Sequence, residues 1–259
     1  ENLEDYIKSK ENLLRHQNPE DWAALSAHDE NSSRLAGATP GRVFWIGKQK
    51  GGQWAIWNGP WLTVRYAGKT NRILSRNSIT LKTHLDNLLF AAAIGILHGV
   101  APKTIQKAIQ SFKPVAQRLE FVREVNGIHF YNDSSCTTPE SSMVAMDCFD
   151  PAHLILMLGG SSKKADFAFL AAKLVQKGVR VYLYGLEGAR IQQALKDAGG
   201  SSLICKYNPS KNFRHIVQDV FSFARSGDSI VLSPACASFD MFPNSKERGH
   251  QFNDIVMGL

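Results

Sequence analysis

Apolar residues recur along this chain in two rhythms, and the change falls near Pro114. Ahead of it, Leu3, Ile7, Leu13 and Leu14 are spaced among charges, which predicts a helix over Leu3 to Arg15 with one buried side. Val43 to Leu74 is rich in Trp, Ile, Val and Tyr and is broken by Gly51-Gly52 and Asn58-Gly59-Pro60, a pattern that predicts antiparallel hairpins. The stretch from Gly47 to Gly52 is then a turn and not a phosphate loop. From Leu81 to His98 apolar residues are dense and Ala91 to Ala93 are small, so a buried helix is expected, stopped by Gly99. A second helix follows from Pro102 to Phe112.

Beyond Pro114, strand-like runs at Leu119 to Val125, Ile128 to Asn132, Leu154 to Leu158, Arg180 to Tyr184 and Ser229 to Leu232 alternate with helical patterns. These are Pro139 to Cys148, Phe167 to Lys177, Ala189 to Ala198 and Phe213 to Arg225. Repeated strand-then-helix units predict an α/β fold, a mostly parallel sheet with helices on both faces. The chain is thus expected to form two domains, residues 1–113 and 114–259. Ligands of parallel sheets sit at the carboxyl ends of strands. That rule singles out three polar segments: Asn132-Asp133-Ser134, Gly159 to Lys163, and Ser233 to Ser238.

Composition narrows the class of protein. The 259 residues are 44% hydrophobic and 20% charged, ordinary for a globular chain with a substantial core. No apolar run reaches the roughly 20 residues that span a bilayer, and the acidic start is unlike a signal peptide, so a cytoplasmic protein without membrane contact is expected. The first residue is not Met, which leads to the expectation of a fragment with a segment upstream. The four cysteines lack paired metal or redox spacing and are expected to be reduced core thiols. The net charge of +7 is scattered, which favours small anions such as nucleotides over nucleic acid. A monomer is expected.

The three segments carry the candidate chemistry. Gly159-Gly160-Ser161-Ser162-Lys163 joins a strand to a helix and presents backbone N–H groups beside a lysine, a combination that holds anions or, in its bland form, merely turns the chain. Ser233 to Asp240 offers hydroxyls and N–H groups to a carboxylate, with Asp240 or Asn244 placed to cap a following helix. No Gly-x-Ser-x-Gly elbow surrounds Ser233 or Ser238, which argues against a serine hydrolase. Asp133 is placed to accept from a ribose hydroxyl, to orient a metal-bound water or, in its bland form, to turn the chain at a strand end, and Arg118, just after the domain junction, to meet a phosphate. The eight histidines form no metal spacing.

In order and spacing, Gln117-Arg118-Leu119-Glu120, Tyr131-Asn132-Asp133-Ser134, Leu158-Gly159-Gly160 with Lys163 and Ala165-Asp166-Phe167, Leu232 to Asp240, and Arg248-Gly249 resemble the C-terminal domain of Mur ligases. The Ser-Pro-Ala-Cys-Ala-Ser-x-Asp run resembles the member that adds D-glutamate. The resemblance implies a Rossmann-like C-terminal domain over 114–259, preceded over 1–113 by part of a central ATPase domain. It implies an ATP-dependent amide-bond ligase with Mg2+, acting on UDP-N-acetylmuramoyl-L-alanine and D-glutamate through an acyl phosphate. By the same resemblance Arg118 contacts ATP phosphate, Asp133 the ribose and Asn87 the adenine. Thr137, Lys163, Ser238 and Phe239 hold D-glutamate, and Lys10 is a carbamylated lysine that helps to hold magnesium.

The chain departs from the family pattern at several positions. Ser135 stands where the family has a lysine, Cys136 an alanine, Gln117 a histidine and Ser161 an aspartate. Of the family's Gly-x-His-Asn-x-x-Asn segment only Asn87 remains, with Thr83 among the changed positions. No Gly-rich phosphate loop ending in Gly-Lys-Thr occurs, so the chain alone is expected not to phosphorylate a substrate. Two alternatives stand beside this reading. One is another Mur ligase or a folylpolyglutamate synthetase, and the other is a non-catalytic module that binds nucleotide or D-glutamate.

Overall fold

The computed structural model describes residues 3–79, 82–161 and 165–259. The chain divides into two compact units, Glu1–Leu81 with Leu85–Lys113, and Lys82–His84 with Pro114–Leu259.

In the first unit α1 (Leu3–Arg15) precedes β1 (Trp22–Ser26), α2 (Glu30–Leu35), β2 (Arg42–Ile46), β3 (Trp54–Asn58), β4 (Trp61–Tyr66), β5 (Lys69–Ser75), α3 (Leu85–Leu97) and α4 (Pro102–Ser111). The strands form one sheet in the order β1-β2-β3-β4-β5. The expected hairpins are present where two-residue turns allow them, at Asn58↔Trp61 and Tyr66↔Lys69. Gly59 and Gly68 take positive φ there, as tight hairpin turns demand. Gly68-Lys69-Thr70 is therefore the turn and first residues of a hairpin strand, not a phosphate loop. Between β2 and β3 the expectation fails, because these strands pair in parallel through Trp45↔Trp54 and Ile46↔Ala55. The 47–53 link loops back just far enough for β3 to start beside the end of β2 and run on beyond it.

One face of this sheet packs Phe44, Ile46, Leu62, Val64 and Leu74 against Leu88, Leu89, Ala92 and Ala93 of α3 and Ile105 and Ile109 of α4. The small residues of α3 earn their place: a Cβ on Gly95 would stand 2.9 Å from the Ile105 side chain, and Gly99 ends the segment at φ +74°. The other face carries Ala23, Leu25, Trp45, Trp54 and Ile56. The buried side expected of α1 is slight, with Ile7 and Leu14 half-buried and Leu13 74% exposed.

The second unit holds β6 (Glu120–Val125), β7 (Ile128–Asn132), α5 (Pro139–Met146), β8 (Leu154–Gly159), α6 (Ala168–Lys177), β9 (Arg180–Tyr184), α7 (Gly188–Asp197), β10 (Ile204–Asn208), α8 (Phe213–Phe221), β11 (Ser229–Leu232) and α9 (Ser245–Met257). Its sheet runs β10-β9-β8-β11-β7-β6. All neighbours are parallel except β6 and β7, an antiparallel hairpin closed by Asn126-Gly127 with both residues at positive φ. Every residue of β8 is buried, as a strand covered on both faces requires. Its Ile155 and Met157 face α8 and α9 through Phe213, Ile216, Val220 and Phe252. Leu154, Leu156 and Leu158 face α5, α6 and α7 through Met146, Leu170, Leu174, Ile191 and Leu195. The α/β reading with helices on both faces of a mostly parallel sheet therefore holds.

From β7 the chain moves by way of α5, α6 and α7 out to β8, β9 and β10. It then returns through α8 to insert β11 between β8 and β7. The winding direction reverses at β8, β11 and β7, and their carboxyl ends form the crevice where such folds place ligands.

Candidate functional site

Three loops leave those carboxyl ends: 133–137 after β7, 159–161 after β8 and 233–240 after β11. Glycine geometry brings them together. Gly159, at φ +143°, lies so close to β9 that a Cβ would sit 1.8 Å from the Tyr184 carbonyl oxygen. Gly160, at φ +134°, would place one 2.2 Å from the Ala237 carbonyl oxygen, so no side chain fits at either position. Backbone bonds then stitch the loops: the Gly159 N–H donates to Pro234 at 2.9 Å, Ser161 to Ala237 at 2.8 Å and Glu187 to Gly160 at 2.9 Å. The Ser161 hydroxyl accepts from the Phe239 N–H at 3.0 Å.

Asp133 sits at the centre of a buried polar chain. Its Oδ2 accepts from the Ser233 hydroxyl at 2.8 Å and its Oδ1 from the Leu119 N–H at 3.3 Å. The Ser142 hydroxyl donates to the Ser233 carbonyl at 2.7 Å and lies 3.1 Å from the Cys136 sulfur. Burial pushes the Asp133 carboxyl up to about 6, against the smaller opposing pull of Ser233, Leu119, Cys136 and Arg118. Burial likewise pushes the thiols of Cys136 and Cys236 up to about 11 and about 12, which leaves both protonated and poor nucleophiles. These two are core thiols as expected. Cys148 and Cys205 are only half-buried, one just past the end of α5 and the other on the edge strand β10.

Arg118 is exposed between two residues in left-handed backbone, Gln117 at φ +60° and Leu119 at φ +49°. Such conformations are costly for side-chain-bearing residues and persist only where surroundings enforce them. Here the Gln117 N–H donates to Glu120, its side-chain amide to the Lys246 carbonyl, and its carbonyl accepts from Ser135. The result projects the Arg118 guanidinium into solvent beside the Asp133 carboxylate, an arrangement suited to a phosphate and a ribose hydroxyl.

Among the expected amino-acid contacts, Thr137 is half-buried just ahead of α5, Ser238 is buried, and Phe239 is 71% exposed on the loop that Ser161 holds. The structure brings the loops of Thr137 and Ser238 together, while Lys163 lies outside the described residues. Asn244, not Asp240, caps the following helix, accepting from Glu247 at 2.8 Å. Asp240 instead accepts from the Leu186 N–H at 3.3 Å.

The remaining candidates belong to the first unit. Asn87 is exposed in the first turn of α3, and Lys10 is exposed on α1 with its ammonium 5.3 Å from the Tyr6 ring centroid. Among the described residues no three His, Cys, Asp or Glu side chains gather to hold a metal. A cavity of about 420 Å³ between α8 and α9, lined by Lys211, Arg214, Gln251 and Asp254, shares no residue with the three loops.

Sequence reasoning gave no role to Arg248, which proves to be the largest fully buried side chain among the described residues. Its Nε donates to the Ser134 hydroxyl at 3.0 Å and its Nη2 to the Ser134 carbonyl at 2.9 Å. Both Nη atoms reach the Cys236 carbonyl at 3.2 Å, and Nη1 reaches Ala237 at 3.2 Å. The only sequence signal for it was the Arg-Gly pair that follows the Ser-Pro-Ala-Cys-Ala-Ser run.

Residues 117–236 match the family of the Mur ligase glutamate ligase domain. The chain is 35% identical over 266 residues to the UDP-N-acetylmuramoylalanine--D-glutamate ligase of Roseiflexus sp. (strain RS-1), covering 98% of the chain and 56% of that protein. It is 34% identical over 258 residues to the enzyme of the same name from Solibacter usitatus, covering 99% and 56%. The chain thus spans a little over half the length of these relatives. Among solved structures, MurF from Acinetobacter baumannii superposes with a TM-score of 0.69 at 12% identity, covering 99% of the chain and 56% of that structure. A bifunctional folylpolyglutamate synthase/dihydrofolate synthase from Yersinia pestis, complexed with AMPPNP and a Mn ion, superposes with a TM-score of 0.64 at 12% identity, covering 98% and 56%. At that identity the two structures speak for the fold, and the sequence matches carry the assignment: the chain belongs to the Mur ligase family.

Proposed function

We propose that this chain is the nucleotide- and amino-acid-binding part of an ATP-dependent ligase that joins D-glutamate to UDP-N-acetylmuramoyl-L-alanine. The observation that carries the reading is the crevice at β7, β8 and β11, where loops bearing Thr137 and Ser238 are locked together beside a buried carboxylate and a solvent-facing arginine. Support for the particular amino acid comes from relatives named UDP-N-acetylmuramoylalanine--D-glutamate ligase at 30–35% identity over nearly the whole chain.

In this reading residues 1–113 contribute Asn87 to the adenine, and residues 114–259 contribute Arg118 to phosphate and Asp133 to the ribose. ATP supplies the phosphoryl group that makes the acceptor carboxylate reactive, and negative charge grows on phosphoryl oxygens, where an exposed guanidinium is most useful. Thr137, Lys163, Ser238 and Phe239 hold D-glutamate so that its amine meets the activated carbonyl. Lys10, once carbamylated, would contribute a carboxylate toward Mg2+, whose charge would offset that of the phosphates.

The test is ligation by the full-length protein with labelled D-glutamate. Arg118→Ala is expected to lower kcat by about 10² or more, the usual effect of losing one charge-stabilising donor. Thr137→Ala is expected to raise KM for D-glutamate while leaving KM for ATP within about twofold. Unchanged kcat in the first variant would remove Arg118 from the site.

A further inference from the structure

We propose that Arg248 is a positioning residue for the amino-acid pocket, holding the Thr137 loop and the Ser238 loop at a fixed separation. This rests on the reading given above that these loops take D-glutamate. Its five hydrogen bonds divide between two loops that are distant in sequence: two go to Ser134, and three to the carbonyls of Cys236 and Ala237. Thr137 lies three residues beyond the first anchor and Ser238 immediately beyond the second. On the far side, Ser161 ties the loop after β8 to Phe239. Arg248 is thus the clamp between the first and last of the three loops, and Ser161 the clamp between the last two.

Stability alone does not account for an arginine here. The side chain is 0% exposed, yet its hydrogen-bond partners are carbonyls and a hydroxyl, none of them a carboxylate. Asp240 acts on it electrostatically but is not hydrogen-bonded to it, and a buried charge without a directly bonded counter-ion is expensive, so that a well-packed apolar side chain commonly serves stability better. Arg248 is also the fourth residue of α9, near the positive end of the helix dipole, where a cation is disfavoured. What the guanidinium offers is a rigid planar fork that fixes the spacing of two backbones, which a flexible ammonium does not reproduce.

The experiment compares Arg248→Lys with the wild-type chain by two readouts. The first is amide hydrogen exchange. Protection at Ser238 and around Thr137 is expected to fall at least tenfold, while β8 and β9 keep theirs. The second is D-glutamate affinity by calorimetry, expected to drop at least tenfold. A uniform loss of protection across the sheet, or unchanged protection in both loops, would overturn the proposal. Ser134→Ala removes the acceptor of Nε together with the hydroxyl's own bond to the Ser245 carbonyl, and it carries the same test with smaller expected changes, about threefold, should the lysine variant fail to fold. If the wild-type chain binds no D-glutamate, the reading of the pocket fails, while hydrogen exchange still decides the role of Arg248.

Discussion

Asp133 shows how one residue ties the fold to the proposed chemistry. Its carboxyl titrates near 6 in the folded chain and near 3.8 when solvated. Between those values the folded state binds the proton more tightly than the unfolded state, so stability falls as pH rises from about 4 to about 6. The loss is of order 2–3 kcal/mol. Asp29, Asp147, Asp219 and Asp228 are shifted the opposite way and act below that window. Burial also raises Asp240, so in Asp133→Asn the fall between pH 4 and 6 should shrink by the Asp133 share, measured as the difference in denaturant unfolding free energy between variant and wild type at each pH. Gly159 sets a sharper limit. With its φ of +143° and the Tyr184 carbonyl 1.8 Å from where a Cβ would stand, Gly159→Ala should lose more than about 3 kcal/mol or fail to fold. A thermal midpoint within a few degrees of wild type would show that β8 and β9 can separate at no great cost. At this scale the sequence was partly legible. Asp133 and Arg118 stood out by their place beside a strand end and a junction, whereas Arg248 reads as one more solvated arginine. Its burial depends on the meeting of loops about 100 residues apart along the chain.

Among elements, legibility followed burial. The unbroken apolar run of β8 declared a strand covered on both faces, and all its residues are buried. The Ala-rich β1 and the polar edge strand β10 carry little such signal, and α2 buries no side chain at all, so these three elements gave no pattern to read. The parallel pairing of β2 with β3 escaped because a short link between two aromatic strands has the same local appearance as a hairpin. Two substitutions test the element-level account. Asn244 accepts from the Glu247 N–H at the start of α9, so Asn244→Ala should cost about 1 kcal/mol. Because α9 carries Arg248, hydrogen exchange in the 233–240 loop should quicken with it. Leu156 lies at the centre of β8 with no exposed surface, and Leu156→Ala should cost 2–5 kcal/mol in chemical unfolding, as cavity-forming core changes usually do.

For the molecule as a whole, repeated strand-then-helix units were enough to give the α/β architecture, because each apolar strand needs helices on both sides to bury it. The position of β11 between β7 and β8 was not legible, since strand order is set by long-range packing. That order creates the crevice, and the sequence matches place the chain in the Mur ligase family. The central claim is that this crevice accepts D-glutamate. It is tested most directly by calorimetric titration of the purified chain with D-glutamate and, in parallel, with L-glutamate. The account expects binding of the D isomer with Kd of about 1 mM or tighter, at least tenfold weaker binding of the L isomer, and loss of the D-isomer heat in Ser238→Ala, a difference of about 1.4 kcal/mol or more in each comparison. Equal binding of both isomers, or no heat from either, would contradict it.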